Sequence, residues 1–141
     1  MALLIAVRYN RVEIVELLLS IPDSFAGQRL DVNLQDNYGG TALIIASKYG
    51  HTKIVELLLS KPYLDVNLQD KDGWTALIYA SWRRRTEIVK LLLSRPDLDV
   101  NLQDEDGDTA LMIASWWGHT EIVSLLENHI RIDLLLSDKY P

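Results

Sequence analysis

The sequence predicts an all-α solenoid of stacked helix-turn-helix units with projecting β-turn loops, a single domain over residues 1–141. Three observations predict it. The phrase Thr41-Ala-Leu-Ile-Ile-Ala-Ser returns as Thr75-Ala-Leu-Ile-Tyr-Ala-Ser and Thr109-Ala-Leu-Met-Ile-Ala-Ser, each step being 34 residues. Ile54-Val-Glu-Leu-Leu-Leu-Ser, Ile88-Val-Lys-Leu-Leu-Leu-Ser and Ile122-Val-Ser-Leu-Leu-Glu keep the same beat, as do Leu64-Asp-Val-Asn-Leu-Gln-Asp and Leu98-Asp-Val-Asn-Leu-Gln-Asp. Self-similarity at this period marks units too small to bury an apolar face alone, which stack to share a core.

Four units follow, at about residues 1–35, 36–69, 70–103 and 104–141. The first opens on Met1-Ala-Leu-Leu-Ile-Ala-Val, which aligns with Thr41-Ala-Leu-Ile-Ile-Ala-Ser and reads as a repeat helix. A signal peptide is disfavoured, because Arg8 cuts the apolar run short and no basic residue precedes it. Ser20 and Asp31 are farther apart than Ser60 and Asp65, so the stretch around Pro22 to Arg29 is expected to protrude as a loop.

The third unit shows the chemistry of all of them. Asp70-Lys-Asp-Gly73 has turn composition, and Thr75 stands where an N-cap belongs, with its hydroxyl available to free helix N–H groups. A short helix from Ala76 to about Trp82 carries small Ala76 and Ala80, which let neighbouring helices approach. Thr86 is expected to cap a second helix whose apolar face is Ile88, Val89, Leu91, Leu92 and Leu93, and Pro96 to stop it. Leu98 to Asp104 is expected to be an extended connection. In the last unit Glu127 replaces Leu93 and Ile130 replaces Pro96, making part of the outer face polar. Leu134-Leu135-Leu136 stays apolar, and the expectation is either a fold-back cap or a cut from a longer array.

Composition excludes several functions. The hydrophobic content of 48% suffices for a core, while a net charge of −6 lacks the basic stripe of a nucleic-acid binder. No cysteine is present, so disulfides and thiol catalysis are absent and an intracellular, cytoplasmic setting is expected. No apolar stretch nears the roughly 20 residues of a membrane span; neither nucleic acid nor membrane is expected as a partner.

The order of helix, turn, helix, connection and hairpin-like turn resembles the ankyrin repeat. Asp-x-x-Gly-x-Thr-Ala-Leu at 36–43, 70–77 and 104–111 carries the resemblance, with Gly-His-Thr at 50–52 and 118–120 and the Ile-Val-x-Leu-Leu and Asp-Val-Asn segments. Two departures stand out. The usual Thr-Pro-Leu-His is here Thr-Ala-Leu-Ile or Thr-Ala-Leu-Met, losing a helix-starting Pro and a hydrogen-bonding His. The usual repeat is about 33 residues, and the extra residue falls in Ser60-Lys-Pro-Tyr-Leu-Asp65.

Comparing the copies with one another separates frame from variable positions. In the turn the changes fall at Asn37/Lys71/Glu105, Tyr38/Asp72/Asp106 and Gly40/Trp74/Asp108. On the first helix they fall at Ile45/Tyr79/Ile113, Lys48/Trp82/Trp116 and Tyr49/Arg83/Trp117, with Arg8 and Tyr9 equivalent in the first unit. The ankyrin resemblance implies that turn tips and first-helix faces line one concave groove that holds a protein partner. Arg8, Tyr9, Asn37, Tyr38, Lys48, Tyr49, Lys71, Asp72, Trp74, Tyr79, Trp82, Arg83, Arg84, Glu105, Asp106, Asp108, Trp116 and Trp117 are therefore the candidate partner-binding residues. Trp, Tyr and Arg most often carry interface energy, and a position that accepts Lys48 is expected to expose Trp82 and Trp116. Structural burial of the indoles is the alternative.

Trp82-Arg-Arg-Arg85 breaks the frame, because Arg84-Arg85 replaces Gly50-His51 and Gly118-His119. The glycine position closes the first helix, where a left-handed residue is usual. Arg83, with Arg84 or Arg85, is expected to pair with carboxylates or stack on a ring of the partner; neutral drift is the alternative.

Catalytic and metal chemistry is not expected, and no cofactor is implied. His51, His119 and His129 lack metal-site spacings, so His51 and His119 are read as joining the two helices of a unit. Recurring Asp31, Asp65 and Asp99, beside Asn33, Asn67 and Asn101, are read as turn-holders. The resemblance also implies possible hydroxylation acceptors at Asn67 and Asn101, since Leu59 to Asn67 and Leu93 to Asn101 resemble segments that asparaginyl hydroxylases modify. The reading is a non-catalytic interaction module, expected as a monomer. Its alternatives are a scaffold or spacer fragment of a longer ankyrin protein, and self-association through Trp116 and Trp117. The near-identical frames resemble engineered or recently duplicated binders, and Lys53 beside Glu87 and Glu121 fits a natural origin better.

Overall fold

A computed structural model describes residues 1–22 and 30–139. The loop expected around Pro22 to Arg29 falls on residues 23–29, outside the described residues. Among the described residues there are eight helices and no strand: α1 (Ala2–Arg8), α2 (Val12–Ser20), α3 (Ala42–Tyr49), α4 (Thr52–Leu59), α5 (Ala76–Trp82), α6 (Thr86–Leu93), α7 (Ala110–Trp116) and α8 (Thr120–Lys139). The first helices of the units, α1, α3, α5 and α7, pack in sequence as one row, and α2, α4, α6 and α8 form a second row behind them.

Local chemistry starts each inner helix. The Thr41, Thr75 and Thr109 hydroxyls accept from the N–H of Ile44, Ile78 and Met112 at 3.1, 3.1 and 3.3 Å. Each inner helix is followed by one left-handed residue, which turns the chain back into the outer helix: Gly50 and Gly118 at φ 78° and 71°, Arg84 at 57° and Asn10 at 54°. Arg84 thus adopts the conformation that glycine holds in two other copies.

The outer helices start differently from the sequence expectation. Thr86 is not a cap but the first residue of α6; Arg85 occupies the cap position and makes no side-chain capping bond. Nor does Pro96 stop α6, which already ends at Leu93, where the Ser94 hydroxyl donates back to the Leu91 carbonyl. The connection after it is not fully extended. Asp31, Asp65 and Asp99 accept the N–H of Asn33, Asn67 and Asn101 at 2.9 Å each, and so hold a tight turn in the first three units.

Two amide side chains stitch neighbouring units. Asn67 donates to the Asp97 carbonyl and accepts from the Asp99 N–H, both at 2.8 Å, and Asn33 does the same with Tyr63 and Asp65. Gln69 donates both to Gly73 of its own turn and to Gln103 of the next, as Gln35 does to Gly39 and Gln69. The turns themselves join where Lys71 N–H donates to Tyr38 C=O and Glu105 N–H to Asp72 C=O, each at 3.1 Å.

The core lies between the two helix rows. Leu43, Ile54, Leu58, Leu77, Ile78, Ile88, Leu92, Ile122 and Leu126 are fully buried. Ala42, Ala46, Ala76, Ala80, Ala110 and Ala114 are buried too, the small side chains that close helix approach requires. The fold-back cap does not form: α8 runs on as one 20-residue helix, leaving Leu134, Leu135 and Leu136 exposed. None of the described helices is long and apolar enough to cross a membrane.

Candidate interaction groove

One aspartate organises each turn. Asp36 Oδ1 accepts from Tyr38 and Gly40 N–H, Asp70 Oδ1 from Asp72 and Trp74, and Asp104 Oδ1 from Asp106 and Asp108, at 2.8 to 3.0 Å. The second oxygen meets whatever the variable positions supply. Arg8 reaches Asp36 Oδ2 at 3.4 Å, whereas the Tyr79 hydroxyl donates to Asp70 Oδ2 at 2.7 Å. Burial first, and then the hydrogen bond to the Asp70 carboxylate, raise the Tyr79 pKa far above the ordinary phenol value. Arg8, Tyr38, Lys48, Tyr49 and Tyr79 line a common hollow of about 240 Å³ with Asp36 and Asp70.

Beyond this hollow runs a ridge of rings. Trp74 packs on Tyr79 at 4.8 Å between centroids and meets Trp82 edge-on at 5.4 Å, and Trp82 meets Trp117 edge-on at 6.4 Å. The ridge therefore crosses from the third unit into the fourth. Its cations come from the chain itself. Lys48 Nζ lies 5.2 Å from the Tyr79 centroid, and the Arg83 guanidinium lies 4.1 Å above Trp82.

The four indoles divide into two kinds. Trp74 and Trp82 are half-buried and pack against the core, as does Tyr79, so the exposure expected of Trp82 from Lys48 is only partial. Trp116 and Trp117 are 69% and 61% exposed. Arg8, Tyr9, Asn37, Tyr38, Tyr49, Lys71, Asp72, Arg83, Arg84, Glu105 and Asp106 are exposed, and Lys48 and Asp108 half-exposed. Arg83 already stacks on a ring of its own chain. Arg85 lies across the preceding unit, where its Cζ would stand 2.8 Å from a Cβ built on Gly50.

Of the two repeated histidines, His119 reaches between units, while the buried Nε2 of His51 meets no hydrogen-bond partner among the described residues. His119 Nε2 is 3.0 Å from the Trp82 carbonyl oxygen, tying the fourth unit to the third. His129 pairs with Asp133 within α8. Of the two acceptor candidates, Asn67 is half-buried with its amide engaged between units, and Asn101 is exposed.

A cluster that the sequence reading missed lies at the last turn. Asp104, Asp106 and Asp108 bring carboxylate oxygens within 4.8 Å of one another. Desolvation first, and then the Asp104 and Asp106 charges, raise the Asp108 pKa above the ordinary carboxylate value. The alternation Asp-x-Asp-x-Asp at 104–108, absent from the turns at 36–40 and 70–74, is the signal the sequence carries for it. A larger hollow of about 600 Å³ lies away from the groove, between Leu18, Leu30, Lys61 and Tyr63.

Paired helices stacked at a fixed step, joined by turns whose tips project beside the inner row, define an all-α repeat solenoid. A family model described as ankyrin repeats (3 copies) matches residues 63–138, and one described as ankyrin repeats (many copies) matches residues 26–80. The chain belongs to the ankyrin repeat family, whose members are in general non-catalytic protein–protein interaction modules. A search of curated proteins finds no match.

Proposed function

We propose that this chain is a non-catalytic binding module that grips a protein partner between its turn tips and inner-helix ends. The observation that carries the reading is the aromatic ridge of Trp74, Tyr79, Trp82 and Trp117, which crosses a unit boundary and ends on exposed Trp116 and Trp117. Rigid rings bury large area at low entropic cost, and an exposed cluster of them beside variable positions is the usual composition of an interface. The half-buried rings support the ridge from below, and Tyr49, Arg83, Trp116 and Trp117 present its accessible part. A cysteine-free chain needs no oxidising compartment, consistent with action in the cytoplasm.

Selection from a displayed peptide library tests the reading with no partner known in advance. Peptides selected on the intact chain are expected to bind a Tyr49→Ser, Arg83→Ser, Trp116→Ser, Trp117→Ser variant at least tenfold more weakly. The variant should keep its helical circular dichroism, since all four side chains are exposed. Peptides that bind both proteins equally would refute the groove reading.

A further inference from the structure

We propose that the partner segment seated in this groove is extended and acidic, with two carboxylates four residues apart and an apolar side chain midway between them. The inference rests on the groove reading above and supplies the chemistry of its partner. On the outer helices the lysines pair with neighbouring acids, Lys53 with Glu56, and Lys90 with Glu87 and Glu121. At the ends of the inner helices α3 and α5 the pattern changes. Lys48, Arg83 and Arg84 form no ion pair among the described residues.

Rings hold two of these cations where acids would otherwise stand. Lys48 Nζ lies 5.7 Å from the Tyr49 centroid and 5.2 Å from that of Tyr79, and the Arg83 guanidinium lies 4.1 Å from that of Trp82. A ring face attracts a cation without neutralising it, so each charge is held in place and little side-chain freedom is lost when a carboxylate arrives. Arg84 keeps a third cation beside them in a left-handed conformation that favours glycine. The Asp70 carboxylate shares a hollow with Lys48 but is already engaged by the N–H groups of Asp72 and Trp74 and by the Tyr79 hydroxyl.

Lys48 and Arg83 stand at the two ends of a floor of rings. Steps of 5.2, 6.4 and 4.1 Å lead from Lys48 through Tyr79 and Trp82 to Arg83. In an extended segment, side chains four residues apart point the same way at a separation of about 13 Å, which these steps can span. The residue midway between them then lies over the half-buried rings of Tyr79 and Trp82. One acid-x-apolar-x-acid segment thus meets both cations and covers the rings. The opposite rim repels it, because Asp72, Glu105 and Asp106 are exposed at the turn tips, and so the segment is held against the inner-helix ends. Lys48, Tyr79, Trp82 and Arg83 belong to the second and third units, each of which has a neighbour on both sides, so their exposure does not depend on where the stack starts or stops.

A library of random linear peptides selected on the intact chain tests the pattern. The selected set is expected to be enriched in Asp or Glu at two positions four apart around an apolar residue. Synthetic peptides from that set are expected to bind a Lys48→Gln, Arg83→Gln variant about tenfold more weakly, with affinity for the intact chain falling as sodium chloride is raised. They should bind Lys53→Gln, altered on the outer helix α4, as they bind the intact chain. Circular dichroism checks that the double variant is folded, and Arg83→Gln with Arg84→Gln takes its place if it is not. Selected peptides that are basic or uncharged at those positions, yet lose binding to the Tyr49→Ser, Arg83→Ser, Trp116→Ser, Trp117→Ser variant, would overturn the acidic partner and leave the groove reading standing. Acidic peptides that bind the Lys48→Gln, Arg83→Gln variant undiminished would overturn it too. Peptides indifferent to every variant, or a selection that enriches none, would remove the groove reading and this inference together.

Discussion

Arg84 holds a left-handed backbone, φ 57°, in the place where Gly50 and Gly118 hold 78° and 71°. A side chain there crowds the backbone, and Arg84→Gly is expected to raise stability by about 1 kcal/mol in urea denaturation. An unchanged midpoint would mean that the exposed side chain recovers the strain elsewhere. Tyr79 gives a second test. Its phenol keeps its proton in the folded state well above the ordinary pKa of 10.0, because burial and the Asp70 carboxylate both disfavour the phenolate. A raised folded-state pKa leaves stability intact below the unfolded value and removes it as pH rises beyond, since only the unfolded chain then releases the proton. Stability should therefore fall above pH 10 more steeply for the wild type than for Tyr79→Phe. Matching pH profiles would exclude the Asp70 hydrogen bond as the cause. Sequence comparison marked Tyr79 as variable, but whether its hydroxyl faced a partner or its own turn depended on the spare oxygen of Asp70, a three-dimensional fact.

At the scale of the helix, the two threonines of a unit have unequal work. The Thr75 hydroxyl accepts from Ile78 N–H in a buried position, whereas Thr86 is already inside α6 and makes no capping bond. Thr75→Ala is expected to cost about 1 kcal/mol, as the loss of an N-cap does, and Thr86→Ala less than half of that. Equal losses in thermal or chemical denaturation would contradict the assignment of the helix start. Both threonines precede an apolar run, which is why composition alone gave them the same role. What decided between them was backbone: the left-handed residue before the outer helix already redirects the chain, and the helix begins one residue earlier than a Thr86 cap would need. The inner helices were legible because cap, alanine spacing and period all agree. The split among the indoles was not legible. Trp74 and Trp82 gain burial from rings in adjacent elements, and Lys48 at an equivalent site takes the same half-buried place by laying its ammonium over Tyr79.

Across the whole molecule, stability is a sum of unit stabilities and the junctions between units, and cooperativity depends on the junctions. Asn67 and Asn101 occupy identical sequence contexts, yet only Asn67 meets the connection of a following unit, through bonds to Asp97 and Asp99 at 2.8 Å, whereas the unit after Asn101 runs on as α8 in place of that connection. Asn101 receives only the local support of Asp99. Removing the Asn67 amide breaks two hydrogen bonds and leaves the Asp97 carbonyl and Asp99 N–H to water at an exposed rim, so the loss is set by the net bond energy rather than by a buried orphan. At about 1 kcal/mol per bond, Asn67→Ala is expected to cost about 2 kcal/mol, and Asn101→Ala a few tenths. The loss falls on the second junction, between the pair of units before it and the pair after it. Asn67→Ala should therefore also lower the slope of the denaturation curve, as the two halves begin to melt separately. A shift of the midpoint with the wild-type slope would place the energy of Asn67 within its own unit and not between units.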